Sequence, residues 1–172
     1  NLDAVPSVGV TGPVHLAVVG RPNAGKSSLI NALLSEDRLL ASDMAGTTRE
    51  AIDIHLQEGE QEYILIDTAG IRRRTRISDS IEHYAVVKAM QSIERADIVL
   101  LMLDATEMPS EQDGRIARLA HEKGKGVVIV LNKADLGFDE QTVTEQIKHI
   151  ADRIPIFYTS IHQPHTIIQL RN

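Results

Sequence analysis

Short apolar blocks recur along the chain, separated by stretches in which apolar residues return at helical spacing. The block "VHLAVV" at residues 14–19 is apolar apart from His15, as a strand buried on both faces should be. "IVLLML" at 98–103 and "VVIVL" at 127–131 have the same character, and "PIFYTS" at 155–160 predicts a last strand. "AIDIHLQ" at 51–57 alternates apolar and polar positions, which predicts a strand with one solvated face and puts His55 at the surface. Glu58 and Gly59 then turn it into "QEYILID" at 61–67 as a hairpin. Helical stripes fall between the blocks: Leu29, Ile30, Leu33 and Leu34; then Val86, Met90 and Ile93; then Ile116, Leu119 and Ala120; then Val143, Ile147 and Ile150. Ser110 can cap the third of these helices, Asp113 suits its first turn, and "KGKG" closes it with cations and glycine at its negative end. Two stretches have no period. Residues 1–13, broken by Pro and Gly, predict a linker or tail, and "SEDRLLASDMAGTTRE" at 35–50 predicts a long functional loop.

Strands alternating with helices after one hairpin predict an α/β domain over residues 14–172. The expected architecture is a three-layer sandwich: a mostly parallel six-stranded sheet, with one antiparallel hairpin strand at its edge, between helices on both faces. Ligands of such sheets bind beyond the carboxyl ends of the strands, so the loops there should carry the chemistry.

Composition narrows the function. Apolar content of 42% and charged content of 24% are those of an ordinary globular chain, and the net charge of −6 argues against a surface coated by nucleic acid. The chain has no cysteine, which excludes disulfides and thiolate metal sites and suits a reducing compartment such as the cytoplasm. No apolar run is long enough to cross a bilayer, so no membrane partner is expected. The first residue is Asn1 rather than Met, as expected of a piece of a longer protein.

The loop after the first block reads "GRPNAGKS", residues 20–27. Gly-x4-Gly-Lys-Ser between a buried strand and a helix is the pattern of a phosphate loop. Gly20 and Gly25 let the backbone wrap closely round phosphates. The N–H groups through Ala24, Gly25, Lys26, Ser27 and Ser28 can then point inward, helped by the positive end of the helix. Lys26 supplies a point charge for the outer phosphates, and the Ser27 hydroxyl can ligate magnesium.

"NKAD" selects the base. Asn132, Lys133 and Asp135 follow a buried strand. A carboxylate there accepts both the ring N–H and the exocyclic amine of guanine, whereas adenine would leave it unpaired. "DTAG" supplies Asp67, which can hold magnesium through water, and the Gly70 N–H, which can bond the terminal phosphate and lose that contact when the phosphate leaves. In "AGTTRE", Thr48 is the better candidate for a second magnesium ligand, with Thr47 as the alternative.

Together "GRPNAGKS", "GTT", "DTAG", "NKAD" and the weaker "YTSI" resemble the five guanine-nucleotide motifs of the translation-factor-like P-loop GTPases. The stretch "IDTAGIRRRTRISDSIEHYAVVKAMQSIERADIVLLMLDATE" is similar to the second GTPase domain of the Der (EngA) family. The resemblance is close over residues 14–136 and loose beyond. It implies a P-loop NTPase fold and a magnesium-dependent GTPase domain of a bacterial protein that also carries another GTPase domain and a KH-like domain. It also implies a role in maturing the large ribosomal subunit, with contacts to its rRNA. Ser160 and Ile161 would be the fifth motif, whose backbone meets the guanine oxygen. The sequence departs from the family in Ala134, where Trp is common, and in a tail, "HQPHTIIQLRN", too short for the usual final helix. The tRNA-modifying GTPase MnmE has a similar phosphate loop, but "IRRR" and "SIERAD" favour Der. A P-loop kinase or ATPase is disfavoured by "NKAD", while a nucleotide-gated binding module that does not hydrolyse GTP stays open.

Many relatives place Gln immediately after "DTAG" to orient water, but Ile71 stands there and cannot do so. In several similar GTPases the Asn of "PNxGKS" ligates a potassium ion. The resemblance therefore implies Asn23 as a potassium ligand, with carbonyls of residues 43–46 completing the shell and the ion placed like an arginine finger. Arg72, Arg73, Arg74 and Arg76 form a basic cluster beside this switch, either a solvated loop or a patch for RNA or another domain. His162 and His165 lack neighbouring carboxylates and predict no metal site.

Overall fold

The computed structural model describes residues 12–34, 40–42, 53–68, 81–150 and 152–160, with backbone alone for 40–42, 81–86 and 150. In chain order the elements are β1 (Val14–Val19), α1 (Lys26–Leu34), β2 (Leu40–Ser42), β3 (Ile54–Glu58), β4 (Gln61–Ile66), α2 (Ile81–Arg95), β5 (Ile98–Asp104), α3 (Glu111–Glu122), β6 (Gly126–Asn132), a 3-10 turn (Ala134–Leu136), α4 (Glu140–Ile150) and β7 (Ile156–Tyr158). They form one sheet in the order β2-β3-β4-β1-β5-β6-β7. β1 lies parallel to β4 and β5, β5 to β6 and β6 to β7, while β3 is antiparallel to both β4 and β2.

The fold class is the expected α/β one, but the sheet has seven strands rather than six. The added strand, β2, lies in the stretch expected to be a loop and pairs Leu40, Ala41 and Ser42 with Gln57, Leu56 and His55. Three residues are too few to show a period, so only the pairing reveals the strand. β2 therefore forms the edge, and the hairpin strand β3 lies one place inside it.

Alternation along the strands sorts the core into two layers. On one face, Ala17, Val19, Ile64, Ile66, Val99, Leu101, Ile129 and Leu131 pack under Ile93 and Ala96, Ile116 and Ala120, and Val143 and Ile147, so α2, α3 and α4 cover that side. On the other, Val18, Leu65, Met102 and Val130 pack under Leu29 and Ile30 of α1. The predicted stripes of α1 and α3 agree with this, as do Val143 and Ile147 of α4, while the Ile150 side chain lies outside the described residues. The stripe of α2 needs correction. Ile93 is fully buried beside Ser92 and Ala96, but Met90 is 43% exposed and Val87 46%. Small Ala89 packs against the core instead, and one residue's step of about 100° turns Met90 off that face. The Val86 side chain lies outside the described residues. His55 is half-buried rather than at the surface, because Glu62 on the paired strand holds its Nδ1 at 2.7 Å.

The N-terminus of α3 is a closed capping box. Ser110 N–H and Oγ–H both donate to Asp113 Oδ2 at 2.8 Å, and Asp113 N–H returns to Ser110 Oγ at 3.4 Å. Because β1, β4, β5 and β6 run parallel, the loops after them all emerge along one edge, where the predicted site residues lie.

Candidate nucleotide-binding site

Close approach of neighbouring strands shapes the loop after β1. Gly20 has φ +146°, and a Cβ there would stand 2.3 Å from the Met102 carbonyl oxygen of β5. Gly25 has φ +98°, and its Cβ would stand 2.0 Å from the Asn132 side-chain nitrogen. Both positions therefore need glycine on grounds of conformation and of space. Asn23 adopts φ 66°, a left-handed conformation that Asn tolerates, and its side chain is exposed. Positive-φ residues interleaved with ordinary ones, as Gly20, Asn23 and Gly25 are here, are the backbone pattern of anion-binding loops. The Lys26 ammonium donates to the loop's own carbonyls, Gly20 at 2.8 Å and Arg21 at 2.5 Å. Arg21 ties the loop to α3, with its guanidinium 3.3 Å from fully buried Asp113, 3.2 Å from Glu107 and donating to the Met108 carbonyl at 3.2 Å.

The predicted base-selecting residues follow β6. Buried Asn132 donates from Nδ2 to the Ala24 carbonyl at 3.0 Å, joining this motif directly to the phosphate loop. Its own carbonyl accepts from Ala105 N–H at 2.8 Å, and its Oδ1 accepts from Thr159 Oγ1 at 3.4 Å. The fifth motif is held alongside, with Ala134 N–H donating to the Thr159 carbonyl at 3.3 Å and Ser160 buried. Lys133 is left-handed, with φ 62°. Asp135 is exposed in the 3-10 turn that follows.

Lys133 is set by a residue that sequence reading missed. Asp104, buried at the end of β5, pairs with the Lys133 ammonium and accepts from Thr106 N–H at 2.9 Å and Thr106 Oγ1 at 2.6 Å. Burial is the largest influence on the Asp104 carboxyl and opposes its charge. The hydrogen bonds from Lys133 and Thr106 together outweigh it and hold the group below the ordinary carboxylate range. The signal was present as a carboxylate closing the apolar run "IVLLMLD".

Asp67 follows β4 in a left-handed conformation, φ 55°. Its N–H donates to Asp53 Oδ1 at 2.9 Å, and Asp53 also pairs with Arg95 of α2. Oδ2 of Asp67 accepts from Ser92 Oγ at 3.3 Å and lies 3.8 Å from Lys88 Nζ. Its Oδ1 is buried with no hydrogen-bond partner among the described residues. Thr47, Thr48, Gly70, Ile71, the Arg72–Arg76 cluster, Ile161, His162, His165 and the carbonyls of residues 43–46 lie outside the described residues. The structure thus brings together Gly20, Asn23, Ala24, Gly25, Lys26, Asn132 and Lys133, with Asp67, Asp135 and Ser160 on loops of the same edge. Among the described residues no group of His, Asp and Glu forms a ready-made metal cluster.

A family model described as a 50S ribosome-binding GTPase matches residues 15–133, from the first strand through "NK". The chain belongs to this 50S ribosome-binding GTPase family. Among curated relatives, it is 47% identical to the GTPase Der of Symbiobacterium thermophilum over 153 residues, which is 88% of this chain and 32% of that protein. It is 54% identical to the GTPase Der of Caldanaerobacter subterraneus over 142 residues, 82% of this chain and 32% of the relative. The chain thus spans about a third of the length of these relatives. Two solved structures share the fold. Era in complex with MgGDPNP and a segment of 16S ribosomal RNA superposes with a TM-score of 0.65 at 30% identity, over 92% of this chain and 55% of that one. A variant of Aquifex aeolicus Era bound to GDP·AlF4− gives 0.64 at 32% identity, over 94% and 56%. Among the described residues no helix is long and apolar enough to cross a membrane.

Proposed function

We propose that the chain is the second GTPase domain of a Der-type protein, over residues 14–172, with residues 1–13 as its inter-domain linker. It binds GTP and hydrolyses it to GDP and phosphate. The observation that carries guanine binding is the bond from Asn132 to the Ala24 carbonyl, 3.0 Å long and buried. It joins the base-selecting motif to the phosphate loop past the intervening strand β5. β1 and β6 stand two strand spacings apart, about 10 Å, a distance that a nucleoside and its first phosphate bridge. Gly20, Gly25 and the start of α1 would cradle the phosphates. Lys26 would exchange its two carbonyl partners for phosphate oxygens, and Asp135 would accept from guanine.

The residues present fit magnesium. Ser27 is exposed at the first turn of α1, and the buried Oδ1 of Asp67, which has no hydrogen-bond partner among the described residues, suits a metal-bound water. Ser27, Asp67 and Thr48 would hold the ion, which when bound neutralises charge on the outer phosphates. Ile71 offers no proton acceptor, so positioning and charge carry the reaction, and Asn23, exposed in the loop, is the ligand for a stimulating potassium ion. The partners we propose are the rest of the polypeptide, with another GTPase domain and a KH-like domain, and the rRNA of the large ribosomal subunit, in the cytoplasm.

Competition binding tests the reading. GTP and GDP should displace a fluorescent guanine nucleotide at concentrations where ATP does not. Asp135→Asn should weaken GTP by on the order of a hundredfold, two charge-assisted hydrogen bonds being lost, and gain xanthine nucleotides. Equal displacement by ATP and GTP would overturn guanine binding.

A further inference from the structure

We propose that Asp53 is a positioning residue for Asp67, fixing the backbone of the carboxylate that serves magnesium and tying it to α2. The proposal rests on the reading of Asp67 as the magnesium-side carboxylate. The starting point is the left-handed conformation of Asp67, φ 55°, which a non-glycine residue adopts at a penalty and keeps only where its surroundings hold it. Among the described residues the sheet's ladder does not reach it. β3 and β4 pair from Glu58↔Gln61 to Ile54↔Leu65, and Asp67 lies past the end of that ladder. In place of a backbone carbonyl, the Asp53 side chain reaches across and accepts the Asp67 N–H at 2.9 Å.

The remaining oxygen of Asp53 pairs with Arg95. Asp67 itself faces the same helix, accepting from Ser92 at 3.3 Å and lying 3.8 Å from Lys88. Lys88, Ser92 and Arg95 follow one another at steps of four and three, which puts them on a single stripe of α2. The start of β3, the end of β4 and α2 are therefore joined in one polar ring, two of whose members are Asp53 and Asp67. With its N–H held by Asp53 and Oδ2 occupied by the helix, Asp67 keeps Oδ1 as the oxygen without a hydrogen-bond partner among the described residues. Supporting partners of this kind, one bond removed from a metal, set ligand orientation and change affinity when removed.

The test is the Mg2+ concentration that gives half-maximal binding of a fluorescent GDP analogue to the full chain. Asp53→Ala should raise it about tenfold. Asp53→Asn keeps an oxygen for the Asp67 N–H, and Arg95→Met removes only the ion pair, so both should stay within about threefold. An unshifted midpoint in Asp53→Ala overturns the proposal, as does a shift in Arg95→Met as large as that in Asp53→Ala. If Asp53→Ala does not fold, hydrogen exchange at the Asp67 amide of the unsubstituted chain decides: slow exchange supports the bond, and exchange at the rate of open chain overturns it. GDP binding by the unsubstituted chain that ignores Mg2+ would instead defeat the magnesium reading, a result distinct from an Mg2+-dependent chain with an insensitive Asp53.

Discussion

At the scale of single residues, the edge of the sheet concentrates charge where burial makes it expensive, and each buried charge is matched. Asp104 is the clearest case, its side chain 6% exposed while that of Lys133 keeps 34% in contact with water. Its carboxyl is held below the ordinary carboxylate range, against burial, by Lys133 and Thr106. The sign follows from linkage. A carboxyl depressed in the folded state contributes stability that is present above its unfolded pKa and lost as pH falls through the folded one. Asp104→Asn should therefore destabilise the chain at pH 7 by about 1–3 kcal/mol, at the low end because Lys133 is partly solvated. The gap to the native chain should narrow as pH drops below the ordinary carboxylate range. Urea unfolding of both proteins at pH 7 and at successively lower pH reads this directly. A difference that is constant across the range would show that Asp104 acts by packing alone.

At the scale of elements, the phosphate loop is not a free-standing turn but is bolted to α3. Arg21 meets Asp113, which is fully buried and is also the capping-box residue of that helix, and Asp113 Oδ1 has no hydrogen-bond partner among the described residues. Arg21→Met should thus leave a buried carboxylate without its cation and destabilise the chain by about 2–3 kcal/mol, less than for a fully enclosed pair because Arg21 is partly exposed. Arg21→Met combined with Asp113→Asn should recover part of that loss. Denaturant unfolding of the single and double variants gives the coupling, and simple additivity would refute the link. Which elements were legible in sequence follows the same physics. Strands buried on both faces announced themselves, β1 to the residue, and so did the glycines that only close approach explains. β2 did not, because three residues pairing at an edge leave no period. Nor did the exposed Met90 of α2, since small Ala89 occupies the position that its hydrophobicity suggested. The motif residues were legible because their spacing is chemical. Asp53, Asp104 and Arg95 were not, because each acts through partners brought close only by the fold: Asp53 lies 14 residues from Asp67 and 42 from Arg95, and Asp104 lies 29 from Lys133.

For the whole molecule, four parallel strands end at one edge and supply in turn the phosphate loop, Asp67, Asp104 and Asn132. In the proposed function a site assembled this way would hold phosphates and base, while its carboxylates are already engaged, Asp67 Oδ2 by Ser92 and Asp104 by Lys133 and Thr106. Phosphoryl transfer asks mainly for in-line positioning and neutralised charge, so turnover depends on how much positive charge reaches the bridge between the outer phosphates. Lys26 supplies one such charge. Asn23, left-handed and exposed in the loop, is the side chain we propose to bring a second as a bound monovalent cation. If it does, turnover in potassium should exceed that in sodium by about tenfold or more, since electrostatic stabilisation of a developing charge commonly contributes at least that much. Asn23→Ala should remove most of the difference while GDP affinity stays within about threefold, because the loop's N–H groups and Lys26 bind phosphates without the amide. Ile71→Ala should change the potassium response far less than Asn23→Ala does. Steady-state phosphate release in matched salts, at saturating GTP, measures all three. Equal rates in the two salts would remove the cation from the mechanism, and a full potassium response in Asn23→Ala would move its ligand elsewhere. Retained binding with no turnover in either salt would make the domain a nucleotide-gated module instead of an enzyme.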